Sequence, residues 1–415
     1  MTHQPMFNRK RLGWTLAATA AAVLAPTAPR AVELSAGDWK FSFSGNVNAH
    51  YIVSACDDSP VAIAGGLACT AASGSDDTGS TVSNGLLPAA MSLSASTTQG
   101  GYDIAATFGL YPGISTNDGS PNLQQGAAPG LTNTALGTTG LDIRQVFLTF
   151  GNEQMGTIMA GRNIGLFGAD AILGDMTLIG VGAASSNYAA PANTSLGSIG
   201  LGYIYTDWLA QLDYTTPNFS GFKFTIGVFD PLEPLGATPT PKSSPGFHGK
   251  AAYTLGDLYL SATFLSQKQK SAVSGADFDS TAFDIGGKYK AGPVEFLAYY
   301  YNGSGVGTTA LFNLASDGAG HERDSDGFLA QVTYTINKTK LGVNYGESNL
   351  DLASGESAVA NAGLVKKNSK VTFGVYHKLT ENLTLLGEFT NIKSEAQAGP
   401  DNKANTYNVG AFLAF

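Results

Sequence analysis

Basic residues, cysteine, histidine and long apolar runs are all scarce in this sequence, and each shortage removes a class of protein. Lys and Arg together number 23 against 32 Asp and Glu, so a nucleic-acid partner is excluded. Only two cysteines occur, Cys56 and Cys69, with no CxxC spacing and no basic neighbour to activate a thiolate. A redox role gives way to a loop disulfide, which restrains a Ser/Gly/Ala/Asp-rich stretch in an oxidising compartment. Past the N-terminus no segment offers the ~18 consecutive apolar residues of a membrane helix.

The first 31 residues are built differently. Arg9, Lys10 and Arg11 precede an apolar run from Leu12 to Ala25, followed by the small-residue tail APTAPRA. That tripartite layout predicts a secretory signal peptide over 1–31, cut after Ala31, with the mature chain over 32–415. With Arg9, Lys10, Arg11 and Arg30 gone, nineteen basic residues face 32 acidic ones, a mature net charge of −13.

From Gly37 to Phe415 the chain breaks into segments of about ten residues in which every second residue is apolar. In KVTFGVYHKLT, Val371, Phe373, Val375 and Leu379 share one parity, while Lys370, Thr372, Tyr376 and Lys378 share the other. The terminal segment alternates Tyr407, Val409, Ala411, Leu413 and Phe415 with Asn408, Gly410 and Phe412. Sixteen such segments are predicted, centred near residues 46, 93, 106, 146, 159, 208, 225, 250, 261, 285, 298, 331, 343, 375, 387 and 409.

The connections alternate long and short. TQGG at 98–101, GNEQMG at 151–156, LGD at 255–257 and KAGP at 290–293 are short, whereas 56–88, 113–140, 231–245, 303–326 and 347–368 are long. One-sided loop length suits a bilayer-spanning barrel, whose two ends face different compartments. A soluble sandwich has no reason to sort its loops so regularly. Aromatic residues near strand ends, such as Tyr253, Tyr289, Phe328, Tyr334 and Tyr345, fit girdles at the two interfaces. The opposite parity is a thin mix of Lys, Asp, Thr, Asn, Gln and Tyr, which suits a polar lumen. Backbone groups in lipid must all be paired, so the sheet has to close.

Spread over nearly the whole mature chain, the opening strand GDWKFSFSGNVNAHY, the pair LDIRQVFLTFGNEQMGTIMAGRN, the unit DWLAQLDYTTPNFSGFKFTIGVF and the terminal Phe415 resemble the general porins of Gram-negative outer membranes. The resemblance implies an all-β, sixteen-stranded transmembrane antiparallel barrel with short periplasmic turns and long extracellular loops. It implies a homotrimer in the cell outer membrane, surrounded by lipid and lipopolysaccharide, that passes small hydrophilic solutes and uses no cofactor and no metal. Phe415 looks like that family's signal to the outer-membrane assembly machinery. The third long loop, which begins just after AGRN at 160–163, is implied to fold into the lumen. Folded inward, its apolar residues pack on the inner barrel wall.

In that family the loop supplies acids and the wall supplies arginines. Arg162 matches a wall arginine, and Arg144 is a second candidate on a strand of ambiguous parity. Asp170 and Asp175 are the charged residues of the loop up to Asn187 and are the candidates for its acidic side; the alternative is that one caps a short helix. Lys40, Lys223, Lys250 and Lys288 hold the polar parity of their strands and either line the lumen or snorkel from strand ends. DWLAQLDY departs from the family in carrying Asp207 and Asp213 but no basic residue, and with the net charge this predicts a weak preference for cations.

Three rivals are open. Tyr299 and Tyr301 in EFLAYYYNG suggest a substrate-specific channel with a tyrosine-lined path. An outer-membrane enzyme needs a His within reach of a nucleophile or acid, and only His50, His248, His321 and His377 remain in the mature chain. A soluble sandwich or adhesin is the third. The cluster HERDSD lacks the spacing of a calcium loop and reads as a solvated acidic loop.

Overall fold

The computed structural model describes residues 31–57, 61–70, 77–114, 141–184, 194–233, 243–271 and 274–415. The expected leader, apart from Ala31, lies outside the described residues, as do residues 58–60 and 71–76 of the first long connection and 115–140 of the second. Among the described residues no helix is long and apolar enough to cross a membrane.

The chain opens with β1 (Val32–Ala36), β2 (Trp39–Ala55), β3 (Thr78–Ser83), β4 (Ala90–Gln99), β5 (Tyr102–Pro112) and β6 (Leu141–Asn152). There follow β7 (Gly156–Ile164), β8 (Trp208–Thr215), β9 (Phe222–Phe229), β10 (Gly246–Leu255), β11 (Leu258–Lys270) and β12 (Asp277–Ala291). The last six are β13 (Val294–Ser304), β14 (Asp324–Ile336), β15 (Thr339–Leu350), β16 (Val365–Lys378), β17 (Leu383–Ala396) and β18 (Asn402–Ala414). Each strand from β4 to β18 pairs antiparallel with the next, and β18 pairs back onto β2, so the sheet closes.

The wall has sixteen positions, as expected, although eighteen strands are counted. One surplus strand is β1, which turns through Gly37 and Asp38 onto the first part of β2 and continues the wall below the end of β18. Phe415 closes that seam: its N–H donates to the Gly45 carbonyl at 2.9 Å and its carbonyl accepts from Gly45 at 2.8 Å. The other surplus strand arises because β3 and β4 share one wall position on β2, interrupted by residues 84–89. That interruption bends into the lumen, where Leu86 and Leu87 donate backbone hydrogen bonds to Gly180 and Leu178.

The burial pattern is inverted relative to a soluble protein. Val409 is 61% exposed and Ile226 62%, while the inward Asn48, Asn344, Thr372 and Thr390 are 1% or less. The large apolar side chains face outward and the polar face turns inward, the arrangement of a bilayer-spanning barrel. Aromatic pairs on neighbouring strands, such as Phe389 with Tyr407 at 5.1 Å and Phe328 with Tyr345 at 5.7 Å, mark the outer surface. Cys56 and Cys69 form the expected disulfide, with Cα atoms 4.9 Å apart.

Candidate channel constriction

Between β7 and β8 the chain turns into the barrel. Phe167, Ala171, Ile199, Leu201, Tyr203 and Ile204 are each 1% exposed or less. Side chains of that size release roughly 1.5–3 kcal/mol each on full burial, which is why an apolar loop is stable inside a polar tube. The segment opens at Gly168, whose φ of 77° starts the short helix α1 (Ala169–Gly174). A 3-10 turn over Met176–Ile179 follows.

The loop is bolted to the wall by polar side chains on successive strands. Asp284 on β12 accepts the Gly168 N–H at 2.7 Å. Gln331 on β14 accepts from Met176 N–H at 2.7 Å and donates to the Gly174 carbonyl at 3.1 Å. Glu388 on β17 takes the N–H groups of Val181 and Gly182 at 2.8 and 2.9 Å, and it also accepts from Tyr376 and Asn408. A Cβ on residue 180 would run into that carboxylate, so glycine is required there. The returning limb is tied by Ser348 to Gly202 at 3.1 Å and by the Thr309 carbonyl to Tyr205 at 2.8 Å. From β10 round to β2, the loop therefore follows about half of the inner circumference.

The two aspartates of the loop have different surroundings. Asp175 is 4% exposed and accepts from Thr177 N–H at 2.9 Å, Thr177 Oγ1 at 2.8 Å, Asn344 Nδ2 at 3.1 Å and Tyr203 OH at 3.0 Å. It caps the 3-10 turn and does not face open water. Asp170 lies at a half-open position, 2.6 Å from Lys250 Nζ on β10 and 3.1 Å from Tyr259 OH on β11.

Arg162 is not where the resemblance put it. The register sets it opposite Val146 and Ala210, and Val146 is an exposed residue of the lipid-side face. Cross-strand partners share a face, so Arg162 belongs to the outer parity. Arg144 does face inward, paired with Asp142 at 2.6 Å and lying 4.9 Å over the Tyr111 ring. Its strand looked ambiguous because the β5–β6 register slips beside Gly109 and Leu110, which reverses parity part-way along. Tyr299 and Tyr301 point inward too, but under the loop: Tyr301 meets Phe167 edge-on at 6.2 Å and Tyr299 donates to Asp284 at 3.2 Å. The tyrosine-lined path is thus filled by protein. Lys40, Lys223, Lys250 and Lys288 all hold inward parity.

Sequence reasoning missed the wall residues that anchor the loop: Asp284, Gln331, Asn344 and Glu388. The available signal was a carboxylate or amide at inward parity in mid-strand, where a solvated lumen gives no preference for one. It also missed a buried pair, His248 with Asp213 at 2.9 Å, which meet across β9 because Gly227 between them has no side chain. In the loop between β13 and β14, Asp317 accepts from His321 Nδ1 at 2.9 Å and from the backbone of Ala319, Gly320 and His321. The His321 hydrogen bond holds the Asp317 carboxyl down at about 2, and the same bond raises His321. Arg323 grips Glu356 through two nitrogens at 2.8 and 2.5 Å and depresses its carboxyl, tying this loop to the one between β15 and β16.

A family model described as Gram-negative porin matches residues 15–397. Among solved structures, the outer membrane channel DcaP of Acinetobacter baumannii superposes with a TM-score of 0.68 at 17% identity, over 93% of this chain and 100% of that one. The anion-selective porin from Comamonas acidovorans gives 0.62 at 15% identity, over 91% and 100%. Salmonella typhi OmpF in complex with daunomycin gives 0.58 at 13% identity, over 92% and 100%. No curated protein matches the chain. At such identities the structural likeness carries the barrel fold alone.

Proposed function

The chain belongs to the Gram-negative porin family, an outer-membrane barrel forming a passive channel, and on that premise we propose that residues 165–184 and 194–207 form the constriction through which its solutes pass. The observation that carries this is the line of wall side chains that fix the loop inside the lumen, Asp284, Gln331 and Glu388 through its backbone and Asn344 through the Asp175 carboxylate. A loop held at that many points narrows the channel to a set size instead of flapping. Its solvated edge is the Asp170–Lys250 pair with Tyr259. Transport is downhill, and radius and field do the sorting.

We read no chemical step in this channel. The buried Asp213–His248 pair shares no hydrogen bond with a serine or cysteine among the described residues, and it supports the packing of β8 to β10. A homotrimer, export through a leader at 1–31 and recognition of Phe415 by the assembly machinery complete the proposal.

Since both native cysteines are joined, an Asp170→Cys variant carries a single free thiol. In a planar bilayer, a bulky methanethiosulfonate reagent is expected to cut its conductance in steps and to leave the parent channel unchanged. An Asp170→Cys channel that is modified without any fall in conductance would sink the constriction assignment.

A further inference from the structure

The part of the inner wall that the loop leaves uncovered, near the short turns, carries a group of three lysines. Lys223 on β9, Lys250 on β10 and Lys288 on β12 face inward around Tyr259 of β11. Tyr259 stands directly opposite Lys288 in the ladder, while Lys223 and Lys250 are diagonal neighbours, facing Ala252 and Thr225. Direct and diagonal neighbours on one face lie roughly 5 and 8 Å apart. The loop neutralises one of the three, because Asp170 holds Lys250 at 2.6 Å. Among the described residues, Lys223 and Lys288 have no ion pair or side-chain hydrogen bond.

The inward acids at this end, Glu33, Asp103 and Glu295, the last a diagonal neighbour of Lys288, are outnumbered by Lys40, Lys223, Lys288, Lys290 and Lys340. Glu295 faces Lys290 directly across the β12–β13 ladder, and Asp103 is separated from Lys40 by the single strand β4. Lys340 adds to the same sign, with its ammonium 4.7 Å over the Tyr376 ring. On the far side of the ring, eight positions away, Ser42 and Ser44 on β2 pair with Ser94 and Ser92 on β4, and the inward charges there, Lys40, Glu33 and Asp103, are of mixed sign. Many of the acidic residues, among them Asp277, Asp279, Asp317, Asp324 and Asp326, sit at the other end. Asp277 begins β12 eleven residues from Lys288, about 36 Å along the strand and several screening lengths away.

Resting on the passive-channel reading, we propose that the channel is anion-selective, and that Lys223, Lys250, Lys288 and the Tyr259 hydroxyl form a way station for small carboxylate- or phosphate-bearing solutes where the neck opens to the periplasm. Ammonium groups are mobile, strongly hydrated point charges. They hold an oxyanion by charge without a rigid fork, and so release it, as conduction requires. Asp170 keeps Lys250 and Tyr259 in place at the edge of the neck and leaves the two flanking lysines for the solute. The net charge of the chain predicts the opposite preference, so the sign of selectivity separates the two views.

The test is the reversal potential in a planar bilayer under a tenfold potassium chloride gradient, with inorganic phosphate as the dianion probe. The parent channel is expected to favour chloride over potassium, and millimolar phosphate to reduce the chloride current. Lys223→Gln combined with Lys288→Gln is expected to lower the chloride to potassium permeability ratio by roughly three- to tenfold and to abolish the phosphate effect. Lys403→Gln, on the outer face near the long loops, is expected to leave both unchanged. A parent channel that favours potassium overturns the inference. So does a double variant that opens normal steps with the parental ratio. A parent protein that opens no steps at all overturns the channel reading itself, and this inference with it.

Discussion

The stretch of inner wall that the inward loop covers and the stretch near the short turns that it leaves open carry similar side chains at the same parity, and put them to different uses. Under the loop, Asp284 and Glu388 are 2 and 5% exposed and spend their oxygens on backbone N–H groups. In the open part, Lys223 and Lys288 have no such partner and their charge reaches the water column. A charge that is covered must be satisfied, since an unpaired ion away from water costs several kcal/mol. A charge left open costs little and acts on whatever passes. Cover, and not residue type, separates a bolt from a selectivity element here.

Removing a bolt is expected to have the largest effect. Glu388→Ala leaves the N–H groups of Val181 and Gly182, the Tyr376 hydroxyl and the Asn408 amide without their acceptor. At ~1–3 kcal/mol for each buried group left unsatisfied, with some relaxation, the barrel should lose roughly 3–5 kcal/mol. The freed loop should also give a larger and noisier conductance. Guanidinium unfolding in detergent micelles and single-channel recording check the two parts. If both match the parent, the covered region is not held as described.

The two loop aspartates then put the comparison on five residues of sequence. Asp175→Asn removes the charge from a buried acceptor of four hydrogen bonds and should lower stability by ~1–3 kcal/mol, with the reversal potential unmoved. Asp170→Asn breaks a partly exposed pair worth ~0–1 kcal/mol. It should barely change stability and, by freeing Lys250, should raise the chloride preference about twofold. Should Asp175→Asn move the reversal potential more than Asp170→Asn does, the division into bolts and field residues fails.

The same difference explains what the sequence made legible. Lipid demands an apolar outer parity everywhere, so strands such as Val371, Phe373 and Val375 announce themselves locally, and the sorting of long and short loops follows from the two compartments. All sixteen wall positions could be found that way. Parity becomes unreadable where the register slips beside Gly109, and this hid the inward face of Arg144. Motif position places Arg162 on the inner face, and only the register, which sets it opposite Val146 and Ala210, turns it outward. The roles of Asp170 and Asp175 could not be told apart at all. Their partners, Lys250 and Asn344, lie 80 and 169 residues away in the chain, and only closure of the ring brings those strands beside the loop. The surplus strand β3 was missed for a related reason: residues 84–89 leave the wall to meet Leu178 and Gly180, partners that no local pattern reveals.

The smallest effect is expected at the mouth, outside both regions, where the exposed His321 pairs with the partly buried Asp317. His321 is raised above 6.5 by its hydrogen bond to Asp317, so its contribution is complete below 6.5 and is lost as pH rises through the raised value. Asp317 is depressed from 3.8 to about 2, so its contribution is complete above 3.8 and is lost as pH falls through about 2. The loop between β13 and β14 should therefore be tightest between 3.8 and 6.5 and loosen on either side. Exchange protection of the Ala319, Gly320 and His321 amides, which donate to Asp317, should fall from pH 5 to pH 8 once intrinsic rates are removed, and His321→Gln should flatten the profile. Selectivity set near the short turns should not follow it, because the screening length is about 8 Å and a strand's length separates the two ends. A reversal potential that titrates together with this loop would mean that the mouth, and not the lysine patch, sets which ions pass.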